Sequence, residues 1–361
     1  MNESVNGTKR IKSLEGLRAI AFVLVFLSHT GPFFEGIGMW SVSLFFVLSG
    51  FVSVISQYNK KIETTIKARL KYMIKKIWKL YPLCFVTNLM MLPFDIFGIK
   101  KQPIIYIIKK FIINISLIYE IIPISNSYTL NGPAWFMGVL VIFYFCFPGV
   151  IKYIKRKDKN QLLSNSLLLI ICDICIAIIG KHMPVVPFKN KMYKSHIYQW
   201  FVYFFPFSRI IDILIGCNLG GVFIKDNKRV ISKASLKELL ACILATITIV
   251  YAHFDYFYWD IVIVCLPSSI LLIYYFAYGQ GIISKAIVNK ITMYLARISS
   301  YGFLIHCVVF RYLESAFVII FELDKEYFTL INATLGFILT VLCCEIWKKI
   351  QKRIDGYIVL D

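Results

Sequence analysis

Residues 15–29 read Glu15-Gly16-Leu17-Arg18-Ala19-Ile20-Ala21-Phe22-Val23-Leu24-Val25-Phe26-Leu27-Ser28-His29. An apolar run carries an arginine near one end and a histidine eleven positions later. At about 3.6 residues per turn, that spacing is about three turns, so both side chains project from one face of a helix. They lie ~16 Å apart along the axis, at ~1.5 Å per residue. Ionisable groups inside a bilayer are costly, so two of them on one stripe point to a site.

The rest of the chain repeats the apolar theme. Of 361 residues, 58% are hydrophobic and 16% aromatic, and the mean hydropathy is +0.70. Runs of about 20 apolar residues separated by short charged loops are the signature of an all-α, polytopic membrane protein. Ten spans are expected, at about 14–33, 37–57, 78–98, 133–153, 162–180, 199–224, 236–254, 259–279, 291–313 and 327–347. One transmembrane domain fills residues 1–361, with short cytoplasmic tails at about 1–13 and 348–361 and no water-soluble domain. The first span is not a cleavable signal peptide, because Thr30-Gly31-Pro32-Phe33-Phe34 offers no small-x-small cleavage site and further spans follow.

Charge gives the direction. The formal net charge is +20, which on a soluble protein would suggest nucleic acid. Here 27 of the 40 Lys and Arg fall in alternate loops, against nine in the others. By the positive-inside rule both termini are cytoplasmic, the partner is the lipid bilayer, and no nucleic acid is expected. Phe111–Pro123 is apolar but too short to span, so it is expected to be re-entrant or interfacial. The ten cysteines are scattered, and the Cys172-x-x-Cys175 pair lies inside an apolar run, where packing is the expected role. No metal site is expected, since the histidines lack ligand spacing along the chain. There is no Gly-rich phosphate loop and no Gly-x-Ser-x-Gly elbow.

Five motifs in order resemble the acyltransferase 3 family of bacterial membrane acyltransferases. Glu15-Gly16-Leu17-Arg18 followed by His29 resembles its opening pattern, and Ser43-Leu44-Phe45-Phe46-Val47-Leu48-Ser49-Gly50-Phe51 its second span. Lys75-Lys76-Ile77-Trp78-Lys79-Leu80-Tyr81-Pro82 resembles the basic pattern before its third span, with lysines where arginines are usual. Arg209, Asp212 and Gly216 resemble an Arg-x-x-acid-x-x-x-Gly segment, and Arg297–His306 a late Ser-Tyr…His segment. One feature departs: Gly138–Ile142 has no acid where many members carry a glutamate after the fourth span begins.

The resemblance implies transfer of an acyl group, commonly acetyl from acetyl-CoA, to a hydroxyl of a surface polysaccharide, lipopolysaccharide or other envelope glycan, or of a lipid-linked precursor. It implies a multi-pass protein of the bacterial cytoplasmic membrane with no permanently bound cofactor, acyl-CoA serving as co-substrate. His29 is then the general base, because imidazole titrates near working pH, and an interfacial histidine hydrogen-bonded to a backbone carbonyl is its structural alternative. Arg18 would bind a CoA phosphate or orient the thioester, and a snorkelling anchor is its structural alternative. Glu15 would orient Arg18 or favour the helix N-terminus. Lys76 and Lys79 are candidate phosphate contacts. Trp135, Arg209, Asp212, Tyr301 and His306 are candidate acceptor contacts, with packing roles as alternatives; Arg209 and Asp212 are spaced to pair with each other. For His29 to act on a donor entering from the cytosol, the acyl end must pass along the first helix. Two other readings stay open: a transporter or flippase for a glycan or lipid intermediate, and a catalytically silent relative. Nothing in the sequence sets an oligomeric state.

Overall fold

The computed structural model describes residues 4–5, 8–9, 11–97, 102–121, 129–183, 185–188, 191–194, 196–226, 230–254, 258–321 and 328–357. The helices are α1 (Lys12–Ser28), α2 (Gly38–Gln57), α3 (Ile66–Ile77), α4 (Tyr81–Ile96), α5 (Ile104–Ile115), α6 (Trp135–Arg156), α7 (Lys159–Lys181), α8 (His196–Gln199), α9 (Pro206–Lys225), α10 (Ala234–Phe254), α11 (Tyr258–Tyr278), α12 (Ile282–Ala286), α13 (Lys290–Phe321), α14 (Phe328–Ile331) and α15 (Phe337–Tyr357). Single π-helical turns at Trp200–Phe204 and Asn332–Gly336 lead into α9 and α15. Two small antiparallel hairpins pair Ser4–Val5 with Thr8–Lys9 and Val185–Phe188 with Lys191–Lys194.

The all-α multi-pass reading holds. Among the described residues, seven stretches are long and apolar enough to cross a membrane, and α3 with α4, bent by 57°, would make an eighth. Every expected span overlaps a helix, yet α1, with 17 residues, and the apolar stretch Ile263–Tyr278 of α11 are shorter than those seven. α1 stops at Ser28 because Gly31-Pro32 follows, and Pro32–Phe34 forms a separate 3-10 turn. The basic stretch before α4 becomes its own amphipathic helix, α3, started by Thr65, whose hydroxyl accepts from the Ala68 N–H at 3.3 Å. Its Ile66, Leu70 and Ile74 form an exposed apolar stripe at i, i+4, i+8, suited to lying in the membrane interface. The short apolar segment near 111 is the end of α5, whose 12 residues are too few to cross. Conversely, α13 runs to 32 residues and α15 continues through the basic tail, because Lys, Gln and Arg support a helix beyond the apolar run.

The centre of the bundle is α2 against α9. Phe46, Val47, Phe51 and Val54 of α2 have no exposed surface. The backbones approach so closely that a Cβ on Gly50 would lie 1.9 Å from the Ile213 carbonyl oxygen, and one on Gly216 2.0 Å from that of Val47. Small residues at such crossings replace the hydrophobic drive that lipid cannot supply. By contrast α7 turns Leu163, Leu167, Leu168, Ile171 and Ile178 outward, as a lipid-facing helix does.

The segments assigned to one side of the membrane meet at one end of the bundle. The Ser13 hydroxyl donates to the Phe276 carbonyl. Lys155 donates to the Lys60 carbonyl at 2.7 Å, and Lys159 pairs with Asp226 at 3.3 Å. A hydrogen bond from the Tyr274 hydroxyl, chiefly, holds the Asp226 carboxyl down at about 2. Glu238, 1% exposed, accepts from the Gly281 and Ser284 N–H groups and so caps α12.

Candidate active site

α1 lies against α13 and α2. On its stripe, Arg18 donates to the Ser300 hydroxyl of α13. Among the described residues no ion pair joins Arg18 to Glu15, so the orienting role expected of Glu15 passes to Ser300. The Arg18 charge also reaches the Tyr144 hydroxyl on α6. Tyr144 packs edge-on against Tyr72 of α3, centroids 6.2 Å apart, and the Lys76 ammonium sits 5.4 Å from the Tyr72 ring centroid. The fold therefore links Lys76 to Arg18 through two tyrosines. Lys79 lies exposed just after α3.

One helical turn beyond Arg18 comes Phe22, 1% exposed, whose ring lies so close to α13 that a Cβ on Gly302 would meet it at 2.4 Å. Val25, the next residue on the stripe, is also 1% exposed. The face between Arg18 and His29 is thus packed in this conformation, where the sequence reading required a passage.

His29 caps the end of α1. Its Nδ1 lies 2.8 Å from the Val25 carbonyl oxygen. A carbonyl can only accept, so Nδ1 carries the hydrogen and the Nε2 lone pair is left to take a proton. The His306 ring, on α13, meets that of His29 edge to face at 5.0 Å. His306 is fully buried, and its Nδ1 is 2.9 Å from the Gly302 carbonyl, which fixes the same tautomer. Phe26 and Phe310 wall the buried imidazole, at 6.2 and 5.7 Å. The structure thus brings His306 and His29, far apart in sequence, into ring contact.

One neighbour of this pair, and a polar pair that α13 shares with the π-helical turn at Asn332–Gly336, are not evident from the sequence. Cys307 places its Sγ 3.3 Å from His306 Nε2. One donor atom each from His29, His306 and Cys307 lies within 4.8 Å of the others. That set is of a kind that binds soft divalent ions, so ligand spacing absent along the chain is supplied in space. Asn332 donates to the Glu314 carboxylate at 3.1 Å and to the Thr30 carbonyl at 3.3 Å. A carboxylate therefore stands at this end of the bundle on α13, although the expected position on α6 lacks one.

The remaining candidates lie elsewhere. Arg209 and Asp212 pair at 2.9 Å with both side chains fully buried. Arg209 also donates to Ser43 at 3.2 Å and is sandwiched by Phe46 and Tyr203, at 5.1 and 5.3 Å from their ring centroids. Asp173 of α7, 3% exposed, interacts electrostatically with both. Ring contacts run from Phe46 to Phe136, to Phe303 and to His306, the first pair stacked and the others tilted, so phenyl rings lie between this cluster and the histidines. Trp135, 6% exposed, is enclosed by Phe46, Tyr203 and Phe204. Tyr301 is partly buried and packs against the apolar core. Cys172 and Cys175 are free and exposed on the lipid-facing helix.

What emerges is a multi-pass helical membrane protein holding a histidine pair at one end of a helix and an arginine on the same stripe. A family model for an acyltransferase domain matches residues 11–346, and the chain belongs to that family, acyltransferase 3. It is similar to the O-acetyltransferase OatA of Staphylococcus aureus, 23% identical over 230 residues, covering 61% of this chain and 36% of that protein. The peptidoglycan O-acetyltransferase OatA of Listeria monocytogenes is 23% identical over 228 residues, covering 60% of this chain and 34% of that one. The match thus spans about a third of each relative's length. No solved structure matches the chain.

Proposed function

We propose that the protein is a membrane O-acyltransferase that moves an acyl group, acetyl in the first instance, from acyl-CoA to a hydroxyl of an envelope glycan. The observation that carries this reading is His29: its Nδ1–H is tied to Val25 and its Nε2 is left as a base. Acyl transfer to oxygen needs such a base, because the attacking hydroxyl must lose its proton as the C–O bond forms. The names of the Staphylococcus and Listeria relatives support acetyl as the group and cell-wall glycan as the acceptor class.

The chain crosses the membrane ten times in this reading, with both termini in the cytoplasm. The donor docks from the cytosol against Arg18, Lys76 and Lys79, guanidinium and ammonium groups suited to CoA phosphates. Its acyl end reaches His29 when the Phe22 ring turns away from Gly302. Glu15 keeps a share in favouring the N-terminal turn of α1. A flippase would need Arg209 and Asp212 along a path. Their enclosure between Phe46 and Tyr203 weighs against that.

The test is O-acetylation of host envelope glycans, measured by mass analysis in a strain lacking the chromosomal copy. His29→Ala and Arg18→Ala are each expected to lower acetylation about 10²-fold or more, the scale of general-base catalysis, with protein still accumulating in membranes. Normal acetylation with His29→Ala would sink the mechanism.

A further inference from the structure

We propose that Cys307 is a covalent acyl carrier, taking the acyl group from CoA before passing it to the acceptor. This inference rests on the acyltransferase reading above. The thiol is not isolated: it lies 3.3 Å from His306 Nε2 and, with His29 of another helix, belongs to a set of donor atoms no more than 4.8 Å apart. Because His306 gives its Nδ1 hydrogen to Gly302, the nitrogen facing Cys307 is the one that can accept a proton. A nucleophile, a base within hydrogen-bond reach and a third group orienting that base are the parts of a covalent catalytic site. Cys307 is half-buried as a residue, whereas His306 has no exposed surface. His306 thus serves the thiol, and the exposed His29 is free to serve the acceptor.

The steps balance without oxidant or metal. The Cys307 Sγ–H proton passes to His306 Nε2 as the sulfur bonds the acyl carbonyl carbon. The bond from that carbon to the pantetheine sulfur breaks, and the departing thiolate takes the proton from His306. One thioester has replaced another. His29 Nε2 then removes the acceptor hydroxyl proton as oxygen bonds the carbonyl carbon. The Cys307 sulfur leaves as thiolate and is reprotonated from His29. The division explains why two histidines, each with the same fixed tautomer, face one small space.

The test uses membranes containing the full chain, incubated with acetyl-labelled acetyl-CoA in the absence of glycan acceptor. Protein-bound label released by neutral hydroxylamine is expected in the native chain. It is expected to fall to background in Cys307→Ala, with glycan acetylation down about 10²-fold. In Cys307→Ser the label should resist neutral hydroxylamine, as an ester does. In His29→Ala the label should persist while glycan acetylation is lost, because only the second step is blocked. Glycan acetylation with no thioester-bound label, or undiminished in Cys307→Ala, overturns the carrier and leaves His29 as base. Loss in Cys307→Ala with normal acetylation in His29→Ala upholds the carrier and overturns the base.

Discussion

Arg209 carries a full charge with none of its side chain exposed, and two carboxylates lie around it. Removing one partner of a buried pair costs about 3–5 kcal/mol, because the other charge is left uncompensated. The arginine here serves both Asp212 and Asp173, so the two partners are not equivalent. Arg209→Met strands two acids; Asp212→Asn leaves Arg209 with Asp173. The expected order is a loss of about 3–5 kcal/mol for Arg209→Met and a smaller loss for Asp212→Asn. Thermal unfolding of detergent-purified protein, followed by loss of monodispersity, reads this directly. Equal losses would remove Asp173 from the cluster. At this scale the legible part was local. The Arg209–Asp212 pair could be read because three residues on one helix bring both to one side. Asp173 could not, since its partners stand on α9 and its own helix faces lipid. Cys307 was hidden likewise: next to a histidine in sequence it means little, and only the arrival of α1 puts a second imidazole beside it. Trp135 misled because an aromatic near a span end fits several environments, and its enclosure by Tyr203 and Phe204 depends on a π-helical turn that hydropathy does not reveal.

Among the elements, α2 and α9 meet through backbone rather than side chains. Gly216 and Gly220 stand one turn apart on α9, and a Cβ on either would meet the backbone of α2, at 2.0 Å from the Val47 oxygen and 2.9 Å from the Phe51 oxygen. The obstacle is main chain, which cannot swing aside as a side chain would. Gly216→Ala must therefore part the helices, and a loss of about 1–3 kcal/mol is expected from overpacking. Gly132 offers the control, because a Cβ there meets nothing within 4 Å. The expected result is a lower unfolding temperature and less membrane-embedded protein for Gly216→Ala, with Gly132→Ala unchanged. Equal behaviour of the two would mean that the helices cross more loosely. Spans as elements were legible because each is an apolar run bounded by charge. Their ends were less so. Gly31-Pro32 cut α1 short, and the helix-forming tail carried α15 past its apolar run. The bend between α3 and α4 separates a lysine-rich interfacial helix from a span, where composition alone reads a charged loop.

For the whole molecule, orientation has the largest consequence, since it decides which end of α1 a donor from the cytosol would meet. The charge count places residues near 60, 157, 228, 287 and 353 inside. The packing agrees that several of these belong together: Lys155 reaches the Lys60 carbonyl, Lys159 reaches Asp226, and Glu238 caps α12 near residue 282. The weak point is α5. At 12 residues it is too short to cross, and Lys110, 6% exposed, pairs with Asp95 of α4 at 2.7 Å. A helix held back against its neighbour in this way returns the chain to the side it came from. Reporter fusions test this loop by loop. Fusions near residues 60, 157, 228 and 287 and at the C-terminus are expected to give cytoplasmic fluorescence without alkaline phosphatase activity. Fusions near residues 35, 126, 183, 256 and 325 are expected to give the reverse. If α5 crosses after all, every fusion beyond residue 121 changes side. The segment 152–159, with its five basic residues, would then face outward against the positive-inside rule. Arg18 meets Ser300 and His29 meets His306, so α13 runs parallel to α1, and a reversed α13 would also part the histidine pair.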